Sequence, residues 1–175
     1  MNNVPDNQSN AAWHVVEERI WSEVLWLESH LDTFLKEESH TPEGCKYCYL
    51  RKIALLIVCG DVEATEIKQD FPGKSFWLLH TSLPDVRVYH GGDWHRSTME
   101  CIEHHFSTQD YTVIREPPLQ RGRADLGVFK SNEPDLYVEI GTVSFYKLMT
   151  NLMVMRHFIY LLVPCEGVLL EFRKK

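Results

Sequence analysis

The pattern of apolar and polar positions changes character near residue 93. Before it, Val16, Ile20, Val24, Leu27, Leu31 and Phe34 recur at spacings of three and four, which predicts one long helix over Ala11 to Glu38. Trp13, Trp21 and Trp26 widen that stripe. Pro42 and Gly44 break the pattern within 39–44. Tyr49 to Cys59 is short and apolar, and its pattern fits a helix and a buried strand equally well. Lys74 to His80 and Val86 to His90 read as strands. Gly91-Gly92-Asp93 reads as a turn, with Asp93 placed to cap the next helix.

The second half is more regular. Trp94 to Phe106 suits a helix with Met99, Ile102 and Phe106 on one side. Tyr111 to Arg115 is a short strand, and the loop Glu116 to Arg123 carries Pro117, Pro118 and Gly122. Ala124 to Phe129 is a second strand, Asn132 to Pro134 a turn, and Asp135 to Ile140 a third strand. Ser144 to Met155 suits a helix with Leu148, Leu152 and Met155 inward. His157 to Val163 is almost continuously apolar, as expected of a strand covered on both faces. Val168 to Phe172 can add one more strand, at an edge. Helix, three strands, helix, strand implies an α/β layered domain.

Length and composition fit this picture. The 175 residues suffice for one ordinary domain, or a core with a small appendage. We divide the chain into a polar tail (1–10), a mainly helical N-terminal extension (11–93) and the α/β core (94–175). With 44% hydrophobic and 25% charged residues, a buried core is expected. The net charge of −7 argues against a surface coated in positive charge for indiscriminate nucleic-acid binding. A local basic groove is compatible with it. The first ten residues have no basic start leading into an apolar stretch, and the run Ile53 to Cys59 is too short to span a bilayer, so a cytoplasmic protein is expected. Cys45, Cys48, Cys59, Cys101 and Cys165 are odd in number and unevenly spaced, unlike a secreted disulfide framework.

The candidate chemistry lies in three segments: Tyr111-Thr-Val-Ile-Arg115, Arg123-Ala-Asp-Leu-Gly-Val-Phe129 and Leu136-Tyr-Val-Glu-Ile-Gly141. In this order they resemble the PD-(D/E)XK (restriction-endonuclease-like) nuclease superfamily, nearest in pattern to archaeal Holliday-junction resolvase cores. The resemblance spans Trp94 to Arg173 and leaves the N-terminal half unexplained. It implies an αβββαβ core, a mixed central sheet flanked by helices. It also implies a Mg2+- or Mn2+-dependent endonuclease that hydrolyses phosphodiester bonds, with DNA as the partner. Asp125 would be the first metal-binding acid and Glu139 the second, with Glu100 on the preceding helix as a third and Glu103 as an alternative to it.

Physical chemistry supports the pairing of the two acids. Adjacent strands lie about 4.8 Å apart, so acids near the same end can share a cation. Magnesium and manganese prefer such oxygen ligands, and a metal-bound water is a better nucleophile. A carboxylate between Val138 and Ile140 is costly to bury unless it is paired or metal-bound, although both acids could be ordinary strand-end residues. The family places a lysine two residues after the second acid, where its ammonium steadies the attacking water and the transition-state charge. This chain has Gly141 there. Lys147, early in the following helix, could turn back to the site. Either the lysine has moved to that helix, or catalysis is lost and the fold serves as a subunit that binds nucleic acid or protein. Arg115, Arg121 and Arg123 are suited to phosphate contacts, or are plain surface charges.

A second cluster, His40-x4-Cys45-Lys-Tyr-Cys48, has zinc-compatible spacing. Further Zn2+ ligands would have to come from His30, Cys59, His90, His95, His104 or His105. The alternatives are reduced cysteines at a helix start or a redox pair. Cys101 with His104 or His105 forms a reserve set on one helix face. The tryptophan-bearing first helix suits core packing or a homo-oligomer or protein contact. It does not suit base stacking, because Glu17, Glu18, Glu23 and Glu28 would repel phosphate.

Overall fold

The apolar strand Phe158–Val163 is buried on both faces, and the rest of the fold is layered around it. The computed structural model describes residues 19–30, 46–67, 92–141, 143–163 and 169–174, with backbone alone for 46–48 and 67. Residues 19–30 are helical (α1). There follow α2 (Lys46–Val58), β1 (Val62–Ile67), α3 (Asp93–Ser107), β2 (Thr112–Arg115), β3 (Leu126–Phe129), β4 (Asp135–Ile140), α4 (Phe145–Val154), β5 (Phe158–Val163) and β6 (Leu169–Lys174). The six strands form one mixed sheet in the order β1-β6-β5-β4-β3-β2. Strands β2, β3 and β4 are an antiparallel meander, and β5 runs parallel to β4. A parallel neighbour needs a crossover, and α4 provides it.

Each face of the sheet is covered by helix. On one face, Ile20, Val24 and Leu27 of α1, Leu50, Ile53 and Ala54 of α2, and Phe145, Leu148 and Leu152 of α4 pack on Tyr137, Phe158, Tyr160, Leu162, Leu170 and Phe172. On the other, Ile102 of α3, flanked by Trp94, Met99 and Phe106, packs on Leu126, Val138, Ile140, Leu161, Val163 and Leu169. Area removed from water is the main driving force here, at about 25 cal/mol per Å2. The period-2 pattern of the strands decides which residues face which helices.

The second half follows its sequence pattern closely; the first half adds to it. Tyr49 to Cys59, ambiguous by pattern, is helical within α2. Strand β1 was not foreseen. It pairs antiparallel with β6, from Val62↔Lys174 to Ile67↔Leu169, so β6 is an interior strand where an edge strand was expected. β1 is short and carries Glu63 and Glu66, charges that an edge position tolerates and an interior one does not. The extension thereby joins the sheet and the core of residues 94–175. Asp93 is the first residue of α3 and not its cap; Gly92 is the N-cap and makes no side-chain cap bond. From the first turn, the Asp93 carboxylate complements the positive helix end and pairs with Arg96. The tail 1–10, the remainder of the helix expected over 11–38, the break at 39–44 and the strands expected at 74–80 and 86–90 lie outside the described residues.

Candidate active site

Asp125 is positioned by the chain that leads into β3. The β2–β3 connection folds back on itself: Glu116 N donates to Asp125 O (3.0 Å), Ala124 N to Pro117 O (3.1 Å) and Leu119 N to Gly122 O (3.0 Å). Asp125 N then donates to Val138 O (3.0 Å), which continues the β3–β4 ladder and sets Asp125 opposite Glu139. Both acids are buried, at 7% and 3% exposure. Such burial is rare for carboxylates unless they are bonded, and both are. Asp125 Oδ2 accepts from Ile140 N at 2.7 Å. Its Oδ1 lies 3.2 Å from Nε2 of His95, the third residue of α3.

Glu139 faces the other helical layer. Its Oε1 accepts from the Tyr160 hydroxyl at 2.7 Å and contacts the Lys147 ammonium. Burial pushes the Glu139 carboxyl above its usual range; Lys147 opposes that rise and the nearby Asp125 charge adds to it. Tyr160, fully buried beside this carboxylate, is pushed well above the usual phenol range, first by burial and then by Glu139. Asn151 of α4 is within hydrogen-bond reach of that phenol. Its amide also clamps the loop, accepting from Arg121 N (2.8 Å) and donating to Arg121 O (3.1 Å).

Lys147 reaches Glu139 because of what happens at residues 141 and 144. Gly141 has φ 89°, a conformation that side-chain-bearing residues disfavour, and the chain there turns sharply out of β4. A lysine at position 141 would be strained. Ser144 then caps α4, its hydroxyl accepting from Lys147 N at 3.5 Å, so Lys147 is in the first turn. The Lys147 ammonium donates to Arg123 O as well as contacting Glu139. Its stem runs beside Gly122, where an added Cβ would come within 3.4 Å of Lys147 Cε. Gly122 also has φ 77°, so both the turn and the lysine's path favour glycine there.

The remaining sequence candidates distribute as follows. Arg121 and Arg123 are exposed on the loop beside Lys147; Arg121 lies over the Tyr146 ring (5.1 Å) and Arg123 pairs loosely with Glu116 (3.5 Å). Arg115 is engaged by Glu103 (2.9 Å), and the exposed Glu100 acts on Arg115. No contact of Glu100 with Asp125 or Glu139 occurs among the described contacts. Cys45 and His40, and the Cys48 side chain, lie outside the described residues. Cys101 is partly buried, which raises its thiol pKa, and His105 packs on Phe106 at 4.8 Å.

Among the described residues, no three His, Cys, Asp or Glu side chains converge as a ready-made metal cage. Asp125 and Glu139 nevertheless fit a hard divalent cation that keeps most of its waters, for which one or two carboxylates suffice. They are buried together, and the Asp125 charge adds to the cost of ionising Glu139. His95, Tyr160 and Asn151 were missed as site residues. Tyr160 and Asn151 carried one readable signal: each is a polar group in an otherwise apolar stretch, and a buried polar group requires a partner. Compared with protein families, curated proteins and solved structures, the chain matches none.

Proposed function

We propose that the protein is a Mg2+- or Mn2+-dependent nuclease that hydrolyses phosphodiester bonds in DNA, on a core of the PD-(D/E)XK type. The observation that carries this reading is the Lys147 ammonium seated on Glu139, beside the β3–β4 position that Asp125 shares. The order helix, antiparallel meander, helix, parallel strand supports the same reading. Asp125 and Glu139 would hold the cation. A bound Mg2+ or Mn2+ supplies an acidified water and neutralises charge on the phosphate. Lys147 steadies that water and the developing negative charge, in place of the lysine that Gly141 excludes. The amino end of α4 favours an anion at the same spot, and Arg121 and Arg123 contact backbone phosphates on either side.

The test is cleavage of single-stranded, duplex and branched DNA with Mg2+ or Mn2+. Activity is expected to be lost in Asp125→Ala. Undiminished activity in that variant removes the proposed site.

One observation favours a second reading, a nuclease-fold subunit that binds without cutting. Glu139 Oε1 is satisfied by Lys147 and Tyr160 within the protein itself. Calorimetric titration with Mn2+ separates the two: binding that disappears in Glu139→Ala supports the enzyme, and no binding supports the subunit.

A further inference from the structure

The surface next to Lys147 carries an aromatic–guanidinium ladder that the proposed chemistry does not use. Tyr146 is 40% exposed although it precedes Lys147 in the first turn of α4. The Tyr49 ring of α2 supports it from one side, tilted, with centroids 5.3 Å apart. The Arg121 guanidinium lies over the ring at 5.1 Å. Arg121 is exposed, but its backbone is held at both N and O by buried Asn151, so its Cα is fixed relative to α4. Arg115 and Arg123 each have an acid partner; among the described residues none pairs with Arg121.

We propose that this ladder stacks an unpaired nucleobase of the substrate, with Arg121 bridging the base and its phosphate, so that the protein acts on single-stranded or frayed DNA rather than on intact duplex. The proposal rests on the nuclease reading for its location but is testable without cleavage. Within a duplex both faces of a base are covered by its neighbours; only an unpaired base can offer a face to a tyrosine or a guanidinium plane. A phosphate carried on the same nucleotide is attracted to Arg121 and Lys147. A base held on Tyr146 therefore sets the neighbouring phosphodiester beside the 121–123 loop, where Arg121 lies over Tyr146 and Gly122 and Arg123 line Lys147.

The experiment measures binding in EDTA, where metal-dependent cleavage is arrested, using an oligonucleotide with 2-aminopurine as an unpaired base, its fully paired duplex and the matching RNA. Quenching of 2-aminopurine by the wild-type protein with the single strand reports stacking. Tyr146→Ala should weaken single-strand binding about tenfold and abolish quenching. Duplex binding should change less than about twofold, and Tyr146→Phe should restore both binding and quenching. Arg121→Gln should weaken binding while leaving part of the quenching. An equal loss for single strand and duplex, or no loss in Tyr146→Ala with its thermal midpoint unchanged, overturns the proposal, as does absence of any single-strand binding. Equal binding of RNA extends the ligand to unpaired bases in general. Tyr146-dependent stacking in a protein that cuts nothing keeps the platform and removes the nuclease; cleavage with an unaltered single-strand preference in Tyr146→Ala does the reverse.

Discussion

Helices α3 and α4 open onto the same pair of carboxylates from opposite sides of the sheet, and each presents its third residue there. On α3 that residue is His95, beside Asp125; on α4 it is Lys147, on Glu139. The two starts are built differently. α4 follows a left-handed glycine and is capped by Ser144, so its first turn is fixed close to the strand end. α3 begins after Gly92 without a side-chain cap. The groups also differ in kind: a lysine is a compact, mobile point charge, whereas an imidazole is a directional hydrogen-bonding ring. One side therefore presents a charge to Glu139 and the other an imidazole ring to Asp125. The same helix position thus meets a different acid with a different kind of group.

The largest effect should come from the α4 side. Lys147→Met keeps the stem beside Gly122 and removes the charge. Turnover should fall about a hundredfold or more, the size of losing one transition-state donor. Stability should fall by roughly 3 kcal/mol in denaturant titrations, because Glu139 is left buried without its charged partner, with only the Tyr160 hydroxyl donating to it. Turnover within a few fold of wild type would end the role assigned to Lys147.

A second measurement sharpens the contrast through pH. Burial holds the Glu139 carboxyl above its unfolded range, so the folded state binds that proton more tightly. The stabilisation from protonated Glu139 is complete below the unfolded pKa and is lost as pH rises through the raised folded value. Folding stability should accordingly decline as pH rises above the ordinary glutamate range, by no more than about 1.4 kcal/mol per pH unit from this group. Glu139→Gln should flatten that slope. A slope unaltered in the variant would place its origin elsewhere.

The smallest effect should come from the α3 side. His95→Gln keeps a hydrogen-bonding group near Asp125 and should lower turnover less than about tenfold, with a stability change near 1 kcal/mol. A loss exceeding that of Lys147→Met would reverse the comparison and move the chemistry to α3.

The core elements were legible because their patterns are strong. Phe158–Val163 is apolar throughout and lies inside the sheet; Leu148 and Leu152 mark the buried side of α4, and Ile102 that of α3. Glu139 stood out as an acid in apolar surroundings and Asp125 through the resemblance, and the structure sets them opposite one another. Less legible were features fixed by distant partners. β1 alternates only weakly, and it is a strand because β6 offers an edge. His95 looked like one histidine among several until Asp125 was brought beside it. Tyr160 read simply as part of an apolar strand.

By itself, the sequence determined which faces are buried, since the strand and helix periods are local and the hydrophobic effect acts on each pattern without regard to partners. It also determined the sharp exit from β4, because a glycine at position 141 admits a φ of 89° that other residues resist. Only the tertiary structure decided which charges meet. The Lys147–Glu139 and His95–Asp125 contacts join residues from different layers, and their geometry depends on how α3 and α4 dock on opposite faces of one sheet. No local pattern encodes that distance, because a pairwise interaction between buried groups exists only once packing has excluded the water between them.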